Sequence, residues 1–310
     1  MNFAFTEEQT LIRNMVREFA EQEVKPIASE IDKTHRFPKE TVARMKELSL
    51  FGLGVPEEYG GAGEDTLAAI LAYEELGKVC ASHATILSVH GMATKPIAYF
   101  GTEEQKKKYL PALCSGEKIG CFCLTEPNAG TDAAAQLSRG VRDGDNFIIN
   151  GSKVFITSGS EGGTYVVFAM TQPDKGLKGI TAFIVDRSNP GLKIGQLEDK
   201  LGIRASATAE LIFENMVVPA ADMIGQEGDG FKIAMRSLDA GRIGVAGLAV
   251  GIGQGALDAA ITYIKERKQF GKPISANQGI QWMVADMVTA IESARLLTYK
   301  AAVVNDQPGR

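Results

Sequence analysis

Apolar side chains near the N-terminus recur at steps of three and four, which predicts helices. Leu11, Ile12, Met15, Val16 and Phe19 make one stripe. Ahead of it, Thr6-Glu7-Glu8-Gln9 is a capping box, in which the Gln9 amide donates to the Thr6 hydroxyl and the Gln9 side chain reaches back. Pro38 opens a second helix that carries Val42, Met45 and Leu48. The capping signature returns at Thr102-Glu103-Glu104-Gln105, directly after Gly101 closes the helix before it.

From about residue 119 the apolar residues fall instead into short β-rich runs: 147–149, 154–156, 165–169, 180–185 and 211–213. Asp143-Gly144 and Asn150-Gly151 read as two-residue hairpin turns between them. No long helix separates these runs, so they predict an antiparallel sandwich or barrel. Long helical patterns resume near 227. The segment at about 230–265 is apolar nearly all round, the mark of a helix buried on most faces. Its glycines (Gly241, Gly244, Gly247, Gly251, Gly253, Gly255) lower helix propensity but let a neighbour approach closely. After a break at Phe270-Gly271-Lys272-Pro273, a second long helix from about Ser275 places Ile280, Val284, Met287, Ile291 and Ala294 on one face. The expected fold is an α+β multidomain chain. It has an N-terminal helical bundle over 1–118, a middle antiparallel β-sandwich or barrel over 119–226 and a C-terminal helical bundle over 227–310.

Composition narrows the function classes. Of the 310 residues 45% are hydrophobic and 23% charged, too apolar for a disordered chain. The formal charge is −5, and the densest basic cluster, Lys106-Lys107-Lys108, follows two glutamates and reads as a solvated helix face, so nucleic acid is not an expected partner. The uncharged stretch 243–257 is shorter than a membrane span and is broken by glycines, so no membrane span is expected. Residues Cys80, Cys114, Cys121 and Cys123 lack disulfide-framework spacing. With no signal or transit peptide visible either, the expected location is cytoplasmic. His83 and His90 share a helix face without further ligands nearby, so no metal site is expected.

Three segments are candidates for chemistry. The run CFCLTEPNAGTD at 121–132 leads an apolar strand into a loop with Thr125 at its start and Gly130-Thr131 near its end. Backbone amides and hydroxyls at such a strand mouth can hold a flat polar ring edge, although the same residues also make a plain turn. Asp239 and Arg242, three apart on the long apolar helix, face either a ligand or each other. Arg267-Lys268-Gln269-Phe270-Gly271-Lys272-Pro273 is a basic turn that suits a phosphate or simply joins two helices. Gly251, Gly253 and Gly255 imitate a dinucleotide fingerprint, but they lack the preceding strand and read as helix packing.

Taken together, these segments resemble the acyl-CoA dehydrogenase family over the whole chain. CFCLTEPNAGTD is similar to its first signature, and the Arg267-Lys268-Gln269-Phe270-Gly271-Lys272-Pro273-Ile274 turn followed by Gln278 to its second. Residues 150–157 (NGSKVFIT), 201–204 (LGIR) and 238–244 (LDAGRIG) match in order and spacing. The wording at 238–244 is nearest to the short-chain, butyryl-CoA members. The resemblance implies a flavoprotein of fatty acid metabolism that binds FAD. Phe122, Leu124, Thr125, Gly130 and Thr131 would line the flavin, with Thr131 also near the CoA phosphates. Phe155, Ile156 and Thr157 would cover another part of the ring system. Asp239 and Arg242 would face the CoA moiety. Arg267, Gln269, Phe270 and Gln278 would hold the pyrophosphate and adenine end, usually of a neighbouring subunit's FAD. The implied reaction is α,β-dehydrogenation of an acyl-CoA thioester: a carboxylate takes the α-proton and the β-hydrogen leaves as hydride to flavin N5. An electron-transfer flavoprotein would collect the electrons, and the implied assembly is a homotetramer.

The sequence departs from the family at one end. Family members carry two more long helices beyond the one ending near Val304, with a Gly-rich segment at the FAD adenine and a Tyr-Glu-Gly-Thr-like segment whose Glu is the base. Neither occurs before Arg310. Some members place the base at the position matched by Gly241, which cannot serve. No catalytic residue is therefore assigned, the ending at 305–310 is expected to be loop-like, and the C-terminal bundle is expected to expose apolar faces. Two readings follow: a dehydrogenase whose C-terminal segment is missing, or a naturally short, non-catalytic acyl-CoA- or flavin-binding homologue.

Overall fold

The computed structural model describes residues 4–63 and 65–307. Helices α1 (Glu7–Phe19) and α2 (Lys25–Thr34) are joined by a π-helical turn, Ala20–Val24, and are followed by α3 (Lys39–Glu47), α4 (Thr66–Val79), α5 (Ala81–Phe100) and α6 (Glu103–Cys114). Strands β1 (Gly120–Cys123), β2 (Arg139–Asp143), β3 (Asn146–Thr157), β4 (Thr164–Met170), β5 (Ile180–Asp186), β6 (Leu192–Leu197), β7 (Thr208–Pro219) and β8 (Met223–Ile224) come next. Helix α7 (Gly230–Glu266), the small strands β9 (Lys268–Gln269) and β10 (Lys272–Pro273), and α8 (Gln278–Asn305) complete the described chain. The chain divides into two compact units, one of Met1–Ser29, Asp65–Thr85 and Arg242–Arg310, the other of Glu30–Glu64 and Ile86–Gly241.

Both capping boxes form. Gln9 N–H donates to Thr6 Oγ1 at 3.1 Å and Gln105 N–H to Thr102 Oγ1 at 3.2 Å, and each glutamine accepts from the cap amide in return. The α1 stripe is narrower than its spacing predicts. Ile12, Val16 and Phe19 are buried, but Leu11 is 68% exposed, because it lies a full 100° from Ile12 around the helix.

In the first unit, α4 and α7 meet backbone to backbone. A Cβ on Gly251 or Gly255 would collide with the carbonyl oxygen of Glu74 or Lys78, and one on Gly77 would stand 2.7 Å from Leu248 O. Those glycines are therefore packing residues, as their place inside a helical pattern indicates. By length and composition alone α7 could cross a membrane, yet its glycine face is spent on α4. Its other positions are less covered than expected, for Val245, Ile252 and Tyr263 are exposed. Helix α8 begins at Gln278 after a 3₁₀ turn, Ile274–Ala276. Its inner face carries the buried Thr298 and Ala302 with Arg295; of the predicted stripe, Ile280, Val284 and Ile291 are half-buried on that same face, whereas Met287 and Ala294 are exposed. The C-terminal positions 308–310 of the expected loop lie outside the described residues.

In the second unit the strands form one sheet in the order β6-β7-β3-β2-β4-β5-β8, with β1 also pairing β4. Its pairs are antiparallel except β1 with β4, and β2 with β4 through the single register pair Arg139–Met170. That narrow joint lets the β3/β6/β7 half fold over the β1/β4/β5 half. Phe147, Ile149, Phe213 and Met216 from one half share a core with Tyr165, Val167, Phe183 and Val185 from the other, and the Phe147 and Phe183 rings are 5.0 Å apart. Strands β4 and β5 are buried on both faces, since their alternate residues Val166, Phe168, Ala182 and Ile184 pack with Ile97, Leu110, Leu113 and Ile233 of the helices. Their uninterrupted apolar runs express this double burial.

Asp143-Gly144 does close a hairpin, between β2 and β3. Asn150-Gly151 does not. It lies inside the twelve-residue β3 at a register shift against β7, with Gly151 at φ 147°. A Cβ there would collide with the Ser138 side chain, so this glycine serves a close approach and not a reversal of the chain. Strands β2, β6 and β8 lie outside the predicted runs: β2 buries only Gly140, the apolar alternation of β6 breaks at Gly195-Gln196, and β8 is two residues long.

Candidate functional site

The loop that follows β1 is pinned down by buried charge. Lys153, on β3, is wholly buried, and its ammonium donates to Leu124 O (2.9 Å), Glu126 Oε1 (2.8 Å) and Gln136 Oε1 (2.9 Å), which uses all three of its protons. The buried Glu126 carboxylate also accepts from the N–H groups of Leu137 (2.6 Å) and Ser138 (3.1 Å). Burial pushes the Lys153 ammonium down to about 8, against the pull of Glu126. Burial acts the opposite way on Glu126, but Lys153 and the two amides outweigh it and hold the carboxyl below its ordinary value. Gln136 Nε2 donates onward to Ala133 O, and Val154 N–H reaches Thr125 O at 2.9 Å. Thus both ends of the loop at 125–138 are fastened to β3.

Immediately after Lys153 the β3–β7 register shifts again, between Lys153 and Ile156. At this bulge Phe155 adopts φ 59° and is 62% exposed, Ile156 is buried and Thr157 half-buried. A left-handed, largely exposed aromatic residue costs backbone strain. Beside it, Phe122 and Leu124 are buried in β1 and just beyond, Thr125 is half-buried, and Gly130 and Thr131 are exposed. Phe122 packs on Phe168 with ring centroids 5.0 Å apart. A Cβ placed on Gly130 would meet nothing within 4 Å. Loop hydroxyls, open space at a glycine and a presented aromatic edge fit a flat heteroaromatic group with polar edges.

The structure therefore brings Phe122, Leu124, Thr125, Gly130, Thr131, Phe155, Ile156 and Thr157 into one region of the second unit. Arg267, Gln269, Phe270 and Gln278 belong to the first unit. There β9 and β10 form a two-stranded ribbon with Phe270-Gly271 at its tip, Phe270 fully exposed at φ 50°. Asp239 and Arg242 are both exposed on α7. In the LGIR segment, Ile203 takes φ 54° and Arg204 N–H donates to Asp32 Oδ1 at 2.9 Å. Gly241 packs on Met92.

Sequence reasoning passed over Lys153, Glu126 and Gln136, although the first two lie within quoted motifs. A signal existed: Phe147, Ile149 and Lys153 share strand parity, which points Lys153 inward and demands a buried counter-charge. His90 is a structural residue. Burial pushes its imidazole down to about 4, and its Nδ1 accepts from Gly120 N–H at 3.0 Å, at the root of β1.

Comparison with known proteins gives concordant matches along the chain. Family models described as acyl-CoA dehydrogenase N-terminal, middle and C-terminal domains match residues 6–117, 121–216 and 228–309. A Clostridium acetobutylicum protein named short-chain specific acyl-CoA dehydrogenase is 57% identical over 303 residues, 97% of this chain and 80% of that protein. The structure of butyryl-CoA dehydrogenase from Megasphaera elsdenii superposes with a TM-score of 0.96 at 46% identity, covering 98% of this chain and 80% of its own. A chain in a structure of the electron transferring flavoprotein of Acidaminococcus fermentans, concerned with flavin-based electron bifurcation, gives a TM-score of 0.97 at 51% identity, with coverage of 99% and 81%.

Proposed function

This chain belongs to the acyl-CoA dehydrogenase family, and from that premise we propose that it acts on a short-chain, butyryl-sized acyl-CoA thioester, with its substrate's α,β bond as the site of dehydrogenation. The family is one of FAD-dependent oxidoreductases. What carries the reading is the juxtaposition of the fastened loop at 125–131 with the exposed, left-handed Phe155.

In this reading Phe122, Leu124, Thr125, Gly130 and Thr131 line the flavin, and Phe155, Ile156 and Thr157 cover it. Hydroxyls of Thr125, Thr131 and Thr157 are the hydrogen-bonding groups, while Phe155 supplies an apolar face that keeps water away. When bound, the flavin supplies the hydride acceptor. Asp239 and Arg242 face the CoA moiety, with Thr131 near its phosphates. Arg267, Gln269, Phe270 and Gln278 hold the pyrophosphate and adenine end of a neighbouring subunit's FAD, Arg267 as the bidentate phosphate donor. That role makes the protein a homo-oligomer, a tetramer by family likeness, with an electron-transfer flavoprotein as electron acceptor. The four cysteines are free and buried, which suits the cytoplasmic location included in this reading. None of residues 1–310 is assigned as the α-proton base.

The test is anaerobic addition of butyryl-CoA to the purified 310-residue chain reconstituted with FAD, followed by flavin absorbance. The expected outcome is a retained flavin whose spectrum shifts on thioester binding and which bleaches about 10²- to 10⁴-fold more slowly than a relative with a positioned base. Prompt bleaching would overturn the statement that no base lies within these residues. A flavin that stays oxidised throughout favours the non-catalytic binding homologue, and failure to retain flavin removes the reading altogether.

A further inference from the structure

Buried ion pairs seldom stabilise a fold more than well-packed apolar residues would, since the desolvation cost consumes much of the attraction. The Lys153–Glu126 pair is of this kind, with side-chain exposures of 0% and 2%. What it achieves is geometric. One ammonium and one carboxylate join three separate stretches of chain: Leu124 and Glu126 after β1, Gln136 to Ser138 before β2, and β3 at its last in-register residue before the bulge. Every polar atom in the cluster that needs a partner has one inside the protein, so the three stretches have a single way of fitting together.

We propose that Lys153 and Glu126 are positioning residues for the flavin site, setting the loop at 125–131 and the bulge at 155–157 in one mutual geometry without touching the cofactor. The inference rests on the reading of these segments as flavin-facing. Three facts support it. Lys153 Nζ holds the Leu124 carbonyl, one residue before Thr125. Val154 N–H holds the Thr125 carbonyl, one residue before Phe155. The Glu126 N–H and carbonyl are exchanged with those of Ala129 at 3.1 Å, so the carboxylate that grips Lys153 belongs to the closed turn leading to Gly130 and Thr131. A shift of the pair therefore moves both sets of residues together.

Removing one partner strands a buried charge, so Lys153→Met is expected to fold poorly and is a weak test. The informative variant is Lys153→Met with Glu126→Leu, which removes both charges and keeps apolar bulk. Three measurements are made on the full chain: thermal midpoint without flavin, FAD affinity, and flavin midpoint potential. The expected result is a folded variant whose FAD affinity falls tenfold or more and whose potential moves by about 30 mV, equivalent to a tenfold change in relative affinity for oxidised and reduced flavin in a two-electron couple. A purely structural pair would leave that potential unmoved. A double variant with wild-type FAD affinity and potential overturns the proposal. Amide hydrogen exchange at Leu137, Ser138 and Val154, measured without flavin, separates this inference from the reading beneath it. If the wild-type chain binds no FAD, the flavin reading fails, and unchanged exchange in the double variant would sink the clamp as well. Tenfold or faster exchange at all three amides supports the clamp. Failure of the double variant to fold is decided by Lys153→Gln with Glu126→Gln, which removes both charges, strands neither and keeps polar side chains at both positions: exchange and FAD affinity both unchanged there overturn the proposal, and both impaired support it.

Discussion

Single residues show how little of a site's logic lies in residue type alone. A Cβ on Gly130 would have no protein atom within 4 Å. Gly130→Val is thus expected to leave the unfolding free energy measured in urea within about 0.5 kcal/mol of wild type while lowering FAD affinity at least tenfold; equal affinity would show that nothing approaches this glycine. His90 makes a different demand. Its folded value, about 4, lies below the ordinary imidazole range because the ring is buried. The unfolded chain therefore binds more protons between about pH 4 and 6.5, and stability is full above that window and lost as pH falls through it, by up to about 3 kcal/mol. Urea titrations at pH 7 and pH 4.5 should show the loss. His90→Asn, which keeps an acceptor for Gly120 N–H, should flatten it.

Helices and strands add constraints that single positions hide. On α7, Gly251 and Gly255 face carbonyl oxygens of α4, whereas a Cβ on Gly253 would lie 3.6 Å from the Ile291 side chain, an ordinary contact. Alanine improves helix propensity by about 1 kcal/mol at each site. At Gly253 that gain should survive, giving a stabler protein. At Gly251 or Gly255 the forced separation of two backbones should outweigh it, with a net loss of about 2 kcal/mol. Calorimetry on the three variants checks the order, and equal melting temperatures would contradict the close approach. Capping boxes, the Asp143-Gly144 hairpin and the doubly buried β4 and β5 were legible because each is a local rule with a local cause. Asn150-Gly151 was misleading because the same dipeptide serves a hairpin turn or a bulge, and the choice was made by Ser138, distant in sequence.

For the molecule as a whole, the exposed apolar surface of α8 matters most. Trp282, Met283, Leu296 and Leu297 are each at least half exposed, more than a solitary soluble chain usually shows on one helix. Sedimentation velocity should therefore reveal concentration-dependent association, reduced in the Trp282→Lys/Leu297→Lys variant. A wild-type chain that stays monomeric at every concentration would show that this surface does not drive assembly. The spacing of apolar residues announced α8 and, in Ile280, Val284 and Ile291, most of its inward face; the polar end of that face is held by Glu74 of α4, to which Arg295 donates at 2.9 Å and Tyr299 at 2.7 Å.

Local chemistry thus fixed the helices and their caps, the β character of the middle segment and the motifs that identify the family, since propensity, capping and strand alternation act over a few neighbouring residues. Tertiary structure alone decided which way Lys153 points and what it grips, the bulge that turns Phe155 outward, and the parallel placement of β1 beside β4. Each of these depends on a partner far away along the chain, and the cost of burying a charge or straining a backbone is settled only when that partner arrives.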